Sequence, residues 1–143
     1  MRRVLRPGGL AAVAVWGQPE RNPWATAPTR ALVALGHAQP PDPHAPGMFA
    51  LGAPGRLAEL LSAAGFTEVE VEAVELERGR SSVEEYIEEQ LELSVPFADA
   101  LEPLNEEGRR AVTDEIARLA EPFTGVDGSV SFPASSLVAV ASA

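Results

Sequence analysis

A seven-residue apolar run, Leu10-Ala-Ala-Val-Ala-Val-Trp16, sits between Gly9 and Gly17. Seven residues between two glycines are too few for a stable helix, and a short apolar run bounded in this way reads as a strand. Both of its alternating faces are apolar, which predicts a buried strand of the kind found in parallel sheets covered on both sides by helices. The fold class that follows is mixed α/β. Composition permits it: the chain has 143 residues, 45% of them hydrophobic and 22% charged, enough to bury a core.

The rest of the chain supplies the helices and further strands. Val4 and Leu5 among Arg2, Arg3 and Arg6 read as the end of a helix, stopped by Pro7-Gly8-Gly9. After a polar loop, Thr26 caps a short helix with Pro28 in its first turn, ending near Leu35. Five prolines between Gly36 and Gly55 exclude regular structure there, and a loop of that length suits a lid or binding loop. Leu57, Leu60, Leu61 and Ala64 share one helical face, with Gly65 as a left-handed stop. From Phe66 to Leu76, Val69, Val71 and Ala73 alternate with Glu68, Glu70 and Glu72, predicting a half-exposed edge strand with a bulge or an end at Ala73-Val74. Ser82-Val-Glu-Glu85 is a capping box for a helix that Pro96 ends. Asn105 caps a second helix whose apolar side holds Val112, Ile116, Leu119 and Phe123. Ser129 to Ser142 is a strand region broken at Pro133, and no linker divides the chain.

Charge and residue usage exclude several functions. No cysteine is present, so disulfides, thiolate metal sites and a Cys nucleophile are ruled out. Eleven basic residues, all Arg, against twenty-one acidic ones give a net charge of −10. Such a chain, with no basic stripe, is repelled by phosphate backbones, so no nucleic-acid partner is expected. The apolar run from Leu10 is far too short to cross a bilayer, so no membrane span is expected, and the protein reads as cytoplasmic. Ten of the acids fall between Glu68 and Glu92, whereas residues 1–30 hold five Arg and one Glu.

Arg3-Val-Leu-Arg-Pro-Gly-Gly9 with the strand that follows, and Arg56-Leu-Ala-Glu-Leu-Leu-Ser-Ala-Ala-Gly-Phe66 with the Glu/Val strand that follows, together resemble the C-terminal half of a class I S-adenosylmethionine-dependent methyltransferase. The branch they resemble is the small-molecule enzymes of ubiquinone and menaquinone biosynthesis. The resemblance implies a partial Rossmann-like sheet: strand five at 10–17, a loop and short helix at 18–55, a helix and edge strand six at 56–76, a helical insertion at 82–123, and a final strand seven at 129–142. Strand seven is then antiparallel and inserted between five and six. The family's cofactor-binding elements, a glycine-rich turn after strand one and an acid ending strand two, would precede this chain. Gly8-Gly9 is not that turn, because it precedes a strand where the ligand-cradling turn must follow one and open a helix. The expectation is therefore a truncated domain that binds no S-adenosylmethionine and does no chemistry alone, although the complete enzyme uses that cofactor and a small-molecule methyl acceptor.

Candidate site residues follow from the same placement. Trp16 ends strand five where the substrate cleft opens, as an aromatic wall or simply a cover on the strand end. Arg21 and Trp24 lie in the next loop and could hold a polar substrate group, as could Asn22; a solvated loop is the plainer reading. Met48 and Phe49 either anchor the proline-rich loop or line a pocket. His37 and His44 lack a third ligand at metal-binding spacing, so no metal site is expected; His44 is the candidate general base on a hydroxyl substrate. The Glu84, Glu85, Glu88, Glu89, Glu92 set reads as a solvated helix face. With no fourth strand beside it, the strand at 10–16 has a bare, uncharged edge, which suits a homodimer or a companion chain. A self-associating, non-catalytic α/β module is thus the alternative to the enzyme fragment.

Overall fold

The computed structural model describes residues 2–42 and 45–143. Its strands are β1 (Leu10–Trp16), β2 (Thr67–Arg80) and β3 (Val130–Ser142), and its helices are α1 (Pro23–Ala34), α2 (Arg56–Ala63), α3 (Val83–Leu93), α4 (Val95–Leu101) and α5 (Glu106–Ala120). The strands form one three-stranded sheet in the order β1-β3-β2. β1 and β3 are antiparallel, running from Leu10 opposite Ser142 to Trp16 opposite Ser136. Along β2, Glu68, Glu75 and Glu77 accept from the hydroxyls of Ser142, Ser135 and Ser131, a reversed order that makes this pair antiparallel as well. The fold is mixed α/β, with the last strand in the middle of the sheet.

The chain packs as two compact units, Met1–Asn22, Pro43–Leu76 and Ala134–Ala143 in one, Pro23–Asp42 and Glu77–Pro133 in the other. Two of these boundaries fall inside β2 and β3, which is why no linker composition marks them.

In the first unit, Leu57, Leu61 and Phe66 pack with Ala11, Ala139 and Ala141. The helix ends as its glycine demands, with Gly65 at φ 84°. β1 departs from the expected buried parallel strand. Its odd residues face this core, whereas Leu10, Ala12 and Ala14 are exposed, Leu10 by 67%. Alanine and leucine satisfy a hydrophobic pattern whether or not a second layer arrives to cover them, so the pattern overstated the burial. β2 is exposed along both faces, including Val71, Val74 and Leu76, and it runs four residues beyond Leu76. Its irregular residue is Glu68, at φ 49°, not Ala73-Val74.

Pro133 does not break β3. In the β1–β3 ladder Gly17 N–H donates to Ser135 O (2.8 Å) and Ala143 N–H to Gly9 O (2.9 Å), so the odd residues of β3 direct their groups toward β1. Pro133 shares that parity but lies past the last pair, Trp16 with Ser136. Its missing N–H therefore removes no bond from either ladder.

In the second unit, α1 packs on α5, and Ala31, Val112, Ile116 and Phe132 are buried, with the Phe132 ring tilted against both Tyr86 (4.6 Å) and Phe123 (5.0 Å). α1 begins at Pro23, so Pro28 lies inside it and not in its first turn. Proline has no N–H to give the carbonyl four residues earlier, and that carbonyl, Trp24 O, accepts instead from the buried Tyr86 hydroxyl. Burial pushes the Tyr86 phenol above the ordinary tyrosine range. The expected pair of helices is three: Pro96 falls in the first turn of α4, capped by Ser94, whose hydroxyl accepts from Phe97 N–H. Ser82 and Asn105 cap α3 and α5 as their spacing required.

Candidate functional site

The C-terminal end of β1 is where the first unit concentrates polar structure. The strand runs out into Gly17, and a one-turn helix at Pro19–Arg21 brings Asn22 back beneath it. Asn22 is fully buried. Its Nδ2 donates to Gln18 O (3.0 Å) and Ser135 O (3.0 Å), and its Oδ1 accepts from Ser135 N–H (3.1 Å). The side-chain amide thus pairs with Ser135 as a further strand residue would, and it closes the β1–β3 ladder next to Pro133. The solvated loop expected here is instead a built corner.

Outside that corner, Arg21 Nη2 lies 2.9 Å from Glu75 Oε1, which also accepts from Ser135 Oγ (3.1 Å). The Arg21 hydrogen bond, with help from Ser135, holds the Glu75 carboxyl below the usual carboxylate range. Both partners are more than half exposed, so the pair ties the loop to β2 weakly.

The proline-rich loop returns to the same strand end through Gly52. A Cβ there would lie 2.4 Å from Gly17 O and 3.0 Å from Trp16 O, so only glycine allows the two backbones this close. Gly52 N–H closes a turn onto Phe49 O (2.9 Å). Phe49 is half-buried, Met48 is exposed, and Trp16 is half-buried. Trp16, Arg21, Met48 and Phe49 therefore belong to one unit. Trp24 does not join them. It is buried in the second unit, with the Arg78 guanidinium 4.1 Å from its ring, and acts there as a core residue. His44 lies outside the described residues, and His37 is exposed after α1.

Two open depressions mark the surface of the described residues, of about 440 Å³ beside Arg2, Arg3, Leu5, Pro7, Ala64 and Ala143, and about 300 Å³ beside Val83, Ile87 and Ala117. Neither is lined by the residues at the end of β1. Glu89, read from sequence as part of a solvated face, is instead half-buried between Arg78 and Arg80. No group of three His, Asp or Glu suited to a metal occurs among the described residues, and no helix there is long and apolar enough to cross a membrane.

The strand-to-helix connections after β1 and β2 are where open backbone could approach a nucleoside cofactor. The open side of Gly17 is filled by Ser135 and Gly52. α3 opens on the Ser82 cap with Glu85 reaching back to Ser81 N–H (2.8 Å). At Gly17, glycine backbone packed against its own chain leaves no room for a nucleoside cofactor.

No protein-family profile matches the chain, and no curated protein matches it. Among solved structures it is similar to one described as "a putative methyltransferase" from Bacillus halodurans C-125, at 16% identity and a TM-score of 0.43. The similarity covers 97% of this chain, which spans 57% of the length of that protein.

Proposed function

We propose that this chain is the C-terminal portion of a class I S-adenosylmethionine-dependent methyltransferase acting on a small molecule, of the ubiquinone and menaquinone biosynthesis type. The observation that carries the reading is the sheet order β1-β3-β2 with β3 antiparallel. The sequence motifs assign these strands as five, seven and six, and inserting the last strand between the two before it is what that assignment requires. The reading rests on these motifs and this order.

On this reading the end of β1 forms part of the substrate side of the cleft. Trp16 and Phe49 supply apolar wall, Arg21 a cation for a polar acceptor group, Met48 an adaptable edge, and His44 is the general base. Bound to the complete enzyme, the cofactor supplies an activated methyl group, so the protein's task is mainly alignment of the acceptor. The chain alone is inactive, because its own residues build no cofactor cleft.

The test compares two forms by calorimetry with S-adenosylmethionine. The 143-residue chain is expected to show no binding. A form extended by the coding sequence upstream is expected to bind and to carry a strand followed by a glycine-rich turn opening a helix. Micromolar binding by the 143 residues overturns the claim of inactivity; an upstream sequence without such a turn overturns the family reading.

A further inference from the structure

Past Leu76, β2 enters the second unit, and its alternation there puts Arg78 and Arg80 on one face of the strand. Both guanidinium groups end on the same atom of α3. Arg78 Nη2 lies 2.8 Å from Glu89 Oε1, and Arg80 Nη2 donates to that oxygen as well. The Arg78 guanidinium also lies 4.1 Å from the centre of the buried Trp24 ring. The side chains of Arg78, Arg80 and Glu89 are 27%, 29% and 18% exposed, so their charges are partly shielded from water and interact more strongly than a surface pair would. This arrangement uses the arginines poorly. A guanidinium fork is matched to two oxygens at once, yet here two forks share one oxygen of one carboxylate. Arg80 gives one further N–H to Gly79 O, and most donors of both forks stay uncommitted. Glu85 also acts on Arg80, but its carboxylate is bound to Ser81, accepting from the N–H (2.8 Å) and the hydroxyl (2.5 Å).

We propose that Arg78 and Arg80 form a binding site for a phosphate dianion, free or carried as a monoester on a small molecule, and that Glu89 occupies it as the chain's own competitor. A carboxylate has two oxygens and can satisfy one fork. A tetrahedral phosphate presents three acceptor oxygens, enough to engage both forks with one oxygen shared, and its charge of about −2 matches two arginines. Stacking on Trp24 fixes Arg78 in advance, which lowers the cost of ordering it around a ligand. Glu89 holds the two cations together until a phosphate displaces its single-oxygen contact. The net charge of −10 repels a dianion at long range, so the affinity comes from the two forks at contact and is modest.

Every group in this site belongs to the second unit, so the inference stands apart from the methyltransferase reading, and cofactor binding is silent about it. The test titrates the isotope-labelled 143-residue chain with inorganic phosphate at about pH 7.5, where the dianion is the main form, and at constant ionic strength. The Nε–H signals of Arg78 and Arg80 and the indole N–H of Trp24 are expected to shift together and to saturate in the millimolar range, whereas sodium chloride and sodium acetate produce no saturable shift. Phenyl phosphate is the second ligand: tighter binding than inorganic phosphate assigns an ester, and equal or weaker binding assigns the free ion. Glu89→Gln keeps the shape of the side chain and removes the competitor, so phosphate should bind at least roughly threefold more tightly. Arg80→Gln should abolish saturation while the backbone signals of α3 stay in place. A merely structural ion pair would lose stability in both variants and bind phosphate in neither. Shifts that do not saturate in the native chain overturn the inference, whatever the variants do. So does acetate binding as tightly as phosphate, or a folded Glu89→Gln chain that binds phosphate no better than the native one.

Discussion

Replacing Asn22 with alanine removes three hydrogen bonds from a side chain that has no solvent access. The partners are not equally harmed. Gln18 is exposed, so its carbonyl can turn to water. Ser135 O keeps the Gly17 N–H at 2.8 Å. Ser135 N–H loses the acceptor at 3.1 Å in a residue that is 1% exposed. An orphaned buried donor costs about 1–3 kcal/mol and a lost neutral bond about 1 kcal/mol, so the variant should lose about 3 kcal/mol. For a chain of this length that is roughly 10 °C in Tm. Asn22→Asp separates shape from hydrogen bonding. It keeps the acceptor for Ser135 N–H but turns a second oxygen toward the carbonyls of Gln18 and Ser135. Its carboxyl should be held protonated above the usual range, so its stability, measured against the native chain, should be greatest in acid and fall as pH rises through its folded pKa. Urea unfolding of the three proteins across pH measures both effects. A loss below about 0.5 kcal/mol for Asn22→Ala, or an Asp variant with the native pH profile, refutes the corner as described.

Gly52→Ala sets an entropic gain of about 0.4–1 kcal/mol in the unfolded chain against overpacking on the Gly17 and Trp16 backbones, which costs about 1–3 kcal/mol. The contact should win, with a lower urea midpoint and faster proteolysis of the 45–55 segment; a more stable variant contradicts the packing. Tyr86→Phe should lose about 1–2 kcal/mol, since it leaves the Trp24 carbonyl without the hydroxyl. Because the folded phenol titrates above its unfolded value, its contribution is complete below about pH 10 and is lost on going higher. The native chain should therefore lose more stability there than the Phe variant, as alkaline denaturation can read.

Local signals fixed much of the fold from sequence. The capping residues Ser82 and Asn105, the stop at Gly65 and the start and end of β1 depend on the backbone geometry of a few neighbours, and those residue types admit few alternatives. What the sequence could not supply was burial. Ala12 and Ala14 read as covered and are exposed; Asn22 and Glu89 read as solvated, and one is sealed while the other sits between two arginines. Burial depends on what a distant segment brings, and Ser135 meets Asn22 across 113 residues.

Leu10–Trp16, the helices' caps and the charge asymmetry between the first thirty residues and Glu68–Glu92 were determined by the chain itself, because each rests on residues adjacent along it. Tertiary structure alone decided that Pro133 could sit in a central strand, that Pro28 could sit inside a helix, and that Asn22 ends a ladder. In the first two cases proline withholds an N–H that no partner is there to receive, or frees a carbonyl that Tyr86 takes. In the third, an amide side chain stands where a strand would have continued.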